Sequence, residues 1–253
     1  MGLARTLAVT LTGLTGHIVD VEAHATQGLP GFTLVGLPDA AVRESRERVR
    51  AALSTCGVTW GEQRLTVNLS PADLRKTGTG LDLALALAVL GARGRLGQSA
   101  AGALGRTVYI GELGLDGSVH SVRGILPSVQ AAVAAGVGEI VVGQEAAAEA
   151  ELVPDARVSA ISHIGQLVER YGGRLSEGVA AAVEQISEAG RSAPAALARD
   201  DEPPDLADVV GQTEARQALE VAAAGGHHLI MVGPPGTGKT MLAERLPSIL
   251  PPL

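Results

Sequence analysis

One cysteine, Cys56, stands in 253 residues, so no internal disulfide can form, and a lone thiol fits a reducing cytosol. With no histidine expected beside it, Cys56 reads as a small buried apolar residue rather than a nucleophile. Aromatic residues make up only 2% against 46% apolar overall, so a core must be built from Ala, Val, Leu and Ile. No apolar run reaches the roughly 18 residues a membrane-spanning helix needs. The best candidate, residues 81–90, is too short and carries Asp82. Basic residues are outnumbered by acidic ones, 20 against 27, and the net charge of −7 argues against a chain that coats nucleic acid through bulk charge. A local basic face stays open. The opening Met1-Gly2-Leu3-Ala4-Arg5-Thr6 fits a myristoylation pattern, but Leu7, Val9 and Leu11 alternate with Ala8, Thr10 and Thr12 and read as a first strand.

What is present is a phosphate-binding loop near the end of the chain. Gly233-Pro234-Pro235-Gly236-Thr237-Gly238-Lys239-Thr240 fits G-x-x-x-x-G-K-S/T. Four apolar residues, 229–232, run into it as an expected strand, and residues 241–246 follow as an expected helix. Glycines let backbone N–H groups turn inward on phosphates where a Cβ would block the approach. Lys239 is placed to neutralise the β- and γ-phosphates of ATP, and the Thr240 hydroxyl to hold Mg²⁺. A P-loop ATPase also needs an acidic strand to hold the metal and a residue to orient water. Neither lies downstream of residue 240 here, so the chain reads as the front of a longer ATPase.

Taken in order, residues 5–14 and 17–25 alternate in period 2, with Thr15-Gly16 expected as the hairpin turn between them. A third strand over 32–37 ends at Pro38, and Asp39 is placed to cap a helix over 40–56. That helix turns Ala41, Val42, Val49, Ala52 and Leu53 to a core and carries Arg43, Arg46, Arg48 and Arg50 with Glu44 and Glu47 interleaved. Both a solvated, salt-bridged face and a phosphate- or partner-binding face fit it. A strand over 64–69 leads to the loop 72–80, rich in glycine and base, and to a helix over 81–90. Residues 108–113 and 118–122 suggest a hairpin about Asp116-Gly117. A helix over 125–135, a strand over 139–142, a short helix over 144–150 and a helix over 162–171 follow. Strands come first as a meander and then alternate with helices, an α+β to α/β pattern. From 173 to 204 the pattern fades into Ala, Ser, Glu, Asp and Pro, a flexible linker with at most one weak helix near 180–189. Order returns at 205, with a helix over 213–224. His227-His228 lack a third metal ligand and read as strand-entry residues.

Four stretches are long enough to carry a family resemblance: residues 36–50, 68–82, 109–117 and 205–251. Through them the chain resembles the ComM/YifB-type magnesium-chelatase-like AAA+ ATPases. The resemblance implies an α/β protein of two modules: a Lon-protease-like domain over 1–172 and, after the linker 173–204, the N-terminal part of an AAA+ ATPase domain over 205–253. It places Val209, Val210, Gly211 and Gln212 on the adenine side of the nucleotide. It implies a cytoplasmic protein that assembles with itself as a hexameric ring, with ATP and Mg²⁺ as cofactors and DNA as a partner in recombination, transformation and branch migration. Matched to the Lon nucleophile loop, Gly80 stands where that family has its serine, and Ser128 stands where it has its lysine. Glycine offers no nucleophile and serine no lysine-like base, so no peptidase is expected.

The basic residues available to DNA or to a partner are Arg43, Arg46 and Arg50, which share a helical face at i, i+3 and i+7, together with Arg75 and Lys76 in the loop before the next helix. Two other readings are carried beside the DNA motor: a magnesium-chelatase-type ATPase subunit, and a non-catalytic interaction module.

Overall fold

Alternation in the first residues becomes the longest pairing of the molecule. The computed structural model describes residues 2–58, 60, 63–98, 100–175, 177–192, 204–234 and 236–250. In it β1 (Gly2–Thr12) and β2 (Thr15–Gln27) form an antiparallel hairpin that ends with Thr12 opposite Thr15. The turn is therefore Gly13-Leu14 and not the expected Thr15-Gly16. Gly13 takes φ of 62°, the left-handed backbone that lets a two-residue turn match the strand twist.

Strands β3 (Gly31–Val35), β4 (Gln63–Ser70), β5 (Thr107–Ile110), β8 (Glu139–Gly143) and β9 (Arg157–Ile161) complete a seven-stranded sheet of order β3-β4-β2-β1-β5-β8-β9. Every strand but β2 points the same way: β2 is antiparallel to β1 and β4, while the β3–β4, β1–β5, β5–β8 and β8–β9 pairs are parallel. The expected hairpin about Asp116-Gly117 forms outside this sheet as β6 (Glu112–Leu113) and β7 (Val119–His120). Strand β9 and the short helix α3 (Ala100–Leu104) are additions to the sequence reading.

Helices cover both faces, as a mostly parallel sheet requires. On one face lie α1 (Ala40–Thr55), α2 (Asp82–Ala92) and α6 (Ile164–Arg170), packed on Ala4, Ala8, Val19 and Val21. On the other lie α4 (Ile125–Ala134) and α5 (Ala147–Ala150), packed on Leu7, Val9, Val108 and Ile110. Odd and even residues of β1 thus serve opposite cores. The even ones are small for a reason: a Cβ at Gly91 of α2 would fall 2.7 Å from the Ala4 methyl. Asp39 caps α1 as expected, its carboxylate accepting from the Val42 N–H at 2.8 Å.

Helix α2 is the apolar run that is too short to cross a membrane. Every residue from Asp82 to Leu90 has 0% exposure, so the charge at its head must be answered inside the protein. Arg48 of α1 answers it, giving Nε at 2.6 Å and Nη2 at 3.0 Å to the two carboxylate oxygens, and the Leu113 N–H adds a third bond at 3.2 Å. Burial pushes the Asp82 carboxyl up while Arg48 pulls it back, and the bond to Asp82 raises the Arg48 guanidinium. Arg48 therefore faces inward, away from the surface face of Arg43, Arg46 and Arg50.

The segment expected as a linker opens with a helix, α7 (Glu177–Ser192), longer than the weak one read from sequence. Val183 and Ser187, one turn apart, are buried, and a Cβ at Gly165 of α6 would lie 2.5 Å from Val183. Residues 193–203 of that segment lie outside the described residues. By contacts the chain divides into Met1–Ala195 and Ala196–Leu253.

In the second unit, α8 (Thr213–Gly225) and α9 (Lys239–Glu244) gather on Leu206, Val209, Leu219 and Leu242. The expected strand over 229–232 does not form. A strand needs a neighbour to accept its N–H groups, and no strand is present among the described residues of this unit. Ile230 and Val232 are 87% and 90% exposed accordingly.

Because one partner of a buried pair leaves the other charge unanswered, Asp82→Ala is expected to destabilise the first unit by about 3 kcal/mol. The single tryptophan, Trp60, lies in that unit, so its emission during urea unfolding reads the loss directly.

Candidate functional site

Two places carry the residues singled out by sequence. The first is the loop 233–240, of which Pro235 lies outside the described residues. Gly236 and Gly238 adopt φ of 83° and 80°, left-handed backbone that turns successive peptides toward one side and that a side chain would strain. Helix α9 starts at Lys239, two residues ahead of the expected start at 241, with Gly238 as its N-cap. The Lys239 ammonium folds back into the loop and donates to the carbonyls of Gly233 at 2.8 Å and Pro234 at 2.7 Å. It also lies 3.2 Å from the Thr237 hydroxyl, which itself donates to the Pro234 carbonyl at 3.0 Å. A compact positive charge is thus held against two loop carbonyls and a hydroxyl. A phosphate group would exchange those neutral acceptors for charged ones, which form roughly twice as strong a bond. The donor set fits a nucleotide phosphate chain, with Lys239 as its counter-charge and Thr240, exposed beside it, as the hydroxyl for Mg²⁺.

Val209, Val210, Gly211 and Gln212 sit in the segment between a turn of 3₁₀ helix over Leu206–Asp208 and α8. Val209 is buried and Val210 is 96% exposed. The side chain of Gln212 reaches the loop, with Nε2 at 3.5 Å from the Thr237 carbonyl.

The second place is a cleft of about 430 Å³ where β1 and β5 part at their carboxyl ends. Only Leu7 and Val108 are in register between these strands. Beyond them Val9, Leu11 and Ile110 line the cleft with the loop 77–80, Glu112, Arg123 and Ser128. Gly80 and Ser128, the positions matched to the Lon serine and lysine, both face it. A Cβ at Gly80 would meet Val122 at an ordinary 3.4 Å, so a serine would fit there. Ser128 is 5% exposed and donates to the Gly124 carbonyl at 2.7 Å. The cleft has the shape of a site, with glycine at 80 and serine at 128 where the resemblance puts the Lon serine and lysine.

Around it the loop 71–80 is stitched to the start of α1. Asp39 N–H donates to the Lys76 carbonyl at 2.9 Å, Lys76 N–H donates to the Leu37 carbonyl at 3.2 Å, and the Gly78 N–H reaches the Asp39 carboxylate at 3.3 Å. This fixes the sequence-predicted basic residues unequally. Arg43, Arg46, Arg50 and Arg75 are exposed. Arg46 is paired with Glu47 at 2.9 Å, and Arg50 lies 5.9 Å over the Trp60 ring. Lys76 is 0% exposed, its ammonium turned to the Pro71 carbonyl, so it is not available to a surface phosphate. The Arg48–Asp82 bond escaped the sequence reading, although an aspartate heading an apolar helix was its signal.

Comparison with known proteins places the chain in a class: ATPases of a family related to subunit ChlI of magnesium chelatase. A family described as subunit ChlI of Mg-chelatase matches residues 21–146, and one described as magnesium chelatase, subunit ChlI, matches residues 205–253. An uncharacterized protein of Mycobacterium tuberculosis is 49% identical over 253 residues, covering 100% of this chain and 47% of that protein. The protein YifB of Salmonella typhimurium is 39% identical over 253 residues, 100% of this chain and 47% of its own length. Competence protein ComM of Haemophilus influenzae is 38% identical over 251 residues, 99% of this chain and 47% of its own. The chain belongs to the ComM/YifB-type magnesium-chelatase-like ATPase family, and it spans about half the length of these relatives. A more distant likeness, 30% identity over 184 residues, links 67% of the chain to 22% of a Lon protease of Halothermothrix orenii.

Burial pushes the Lys76 pKa down. The unfolded chain then holds this proton more tightly than the folded one, so stability climbs with pH up to the ordinary lysine value of about 10.4. Lys76→Met is expected to flatten that rise, measured as the urea midpoint between about pH 7 and 10, and to leave it unchanged only if the ammonium is solvated.

Proposed function

We propose that the chain supplies the N-terminal module and the nucleotide cradle of a cytoplasmic, ATP-driven motor that works on DNA as a hexameric ring. The observation that carries the reading is Lys239 held among the carbonyls of its own glycine-rich loop, a charge poised for phosphate. In this reading residues 233–240 hold the phosphates of ATP, Thr240 holds Mg²⁺, and 209–212 lie toward the adenine. Family membership supports the ATPase part. The name of the relative ComM, a competence protein, supports the part played on DNA.

The modules are residues 1–172, a Lon-like domain without its dyad, and 205–253, joined through 173–204. Arg43, Arg46, Arg50 and Arg75 are the proposed contacts to DNA or to a neighbouring subunit, and Lys76 is withdrawn from that set by its burial. One contact surface of this strength per subunit is weak, but a ring repeats it and adds by avidity. The family descriptions name a magnesium-chelatase subunit, which keeps that reading second. Among the described residues no helix is long and apolar enough to cross a membrane.

Lys239→Ala removes the counter-charge of the phosphates. Its affinity for ATP with Mg²⁺, by calorimetry on the full-length protein, is expected to fall at least tenfold, about 1.4 kcal/mol. Equal affinity in wild type and variant overturns the reading.

A further inference from the structure

Gln212 is built more expensively than a turn requires. It heads α8 with φ of 49° and ψ of 41°, left-handed backbone that strains a residue with a Cβ. Its neighbour Gly211 is also left-handed, at φ of 79°. Glycine at 212 would adopt the same conformation without strain, and the Gln212 carbonyl would still start α8 by accepting from the Arg216 N–H at 3.0 Å. What glutamine adds is its side chain.

That side chain lies against the phosphate loop. Its Nε2 is 3.5 Å from the Thr237 carbonyl, the outer limit of a hydrogen bond, and the closer fit is steric. A Cβ built on Gly238 would fall 2.7 Å from Gln212 Nε2 and 3.3 Å from the end of Met241. Position 238 therefore excludes a side chain twice, by its φ of 80° and by the amide seated over it. The peptide so covered joins Thr237, whose hydroxyl touches the lysine ammonium, to Gly238, which caps the helix that Lys239 begins.

We propose that Gln212 is a positioning residue for the nucleoside triphosphate site: its amide braces the Thr237–Gly238 peptide and holds the loop in the form that receives the phosphate chain. This rests on the nucleotide reading above. Gln212 touches no phosphate itself and acts through the loop. Segment 209–212 thereby acquires a second task beside the adenine, linking the entry of α8 to the phosphates.

Two substitutions in the full-length protein separate this from a role in the turn alone. Gln212→Gly keeps the backbone and removes the amide. Binding of a fluorescent N-methylanthraniloyl ATP is expected to weaken about tenfold, while the melting temperature without nucleotide holds or rises as the strain is relieved. Gln212→Glu keeps the shape. At pH 8 its carboxylate beside the loop repels phosphate and affinity falls below that of the glycine variant. As the pH is lowered toward about 5, the fraction of neutral acid, a donor like the amide, grows and affinity recovers relative to wild type at the same pH. A glycine variant that binds as tightly as wild type overturns the positioning role and leaves the nucleotide reading intact. No binding by wild type overturns both.

Discussion

Asp82 has none of its surface in water, and the first unit is arranged so that this carboxylate is never alone. Taking a charge out of water costs several kcal/mol unless good geometry returns it. Here the return comes from three directions: the forked guanidinium of Arg48 on α1, the backbone of Leu113 in β6, and the start of α2 to which Asp82 belongs. Arg48 is in turn held by the Ser45 hydroxyl at 3.0 Å and the Ala41 carbonyl at 3.3 Å. One ion pair thus ties two helices and the small hairpin together. The cleft at the ends of β1 and β5 lies next to this pair in the chain: its lining includes Gly80, two residues before the aspartate, and Glu112, beside Leu113. An apolar isostere of the pair would pack as well, so what the pair adds is a single way for α1 to sit on α2.

The consequence for function is a division of labour. A mostly parallel sheet offers its ligand crevice at the carboxyl ends of its strands, and the cleft is in that place. At the two positions that the resemblance matches to the serine and lysine of a Lon-type peptidase, glycine stands at 80 and serine at 128. In the second unit the Lys239 ammonium donates to the carbonyls of Gly233 and Pro234, acceptors that a phosphate would displace in the proposed nucleotide site. Under the proposed function the first unit presents arginines on α1 and at the neighbouring loop, while the second unit handles nucleotide.

Much of this was legible in the residues. Period-2 alternation found β1 and β2, Asp39 announced α1, and the spacing of glycines and lysine marked the loop 233–240 for which a phosphate is proposed. Three features were not legible, each for a physical reason. Strand β9, Arg157–Ile161, has too little apolar alternation to stand out and is made a strand by its pairing with β8. Residues 229–232 read as a strand, yet strand structure belongs to a pair, and propensity cannot supply the missing neighbour. Lys76 read as a surface base because lysine is almost always one; the stitching of its backbone to Leu37 and Asp39 draws the side chain inside. Arg48 shows the reverse case. Its spacing already set it off the face of Arg43, Arg46 and Arg50, and the unpaired charge of Asp82 on an apolar helix asked for it.

The proposed function requires that nucleotide turnover in one unit be coupled to DNA held by the other. The direct measurement is ATP hydrolysis by the full-length protein with and without DNA, at fixed low salt so that phosphate contacts are not screened away. Coupling requires that DNA raise the hydrolysis rate, and that the increase fade as salt rises. A rate indifferent to DNA at every salt concentration would contradict the motor and leave a nucleotide-binding protein of another kind.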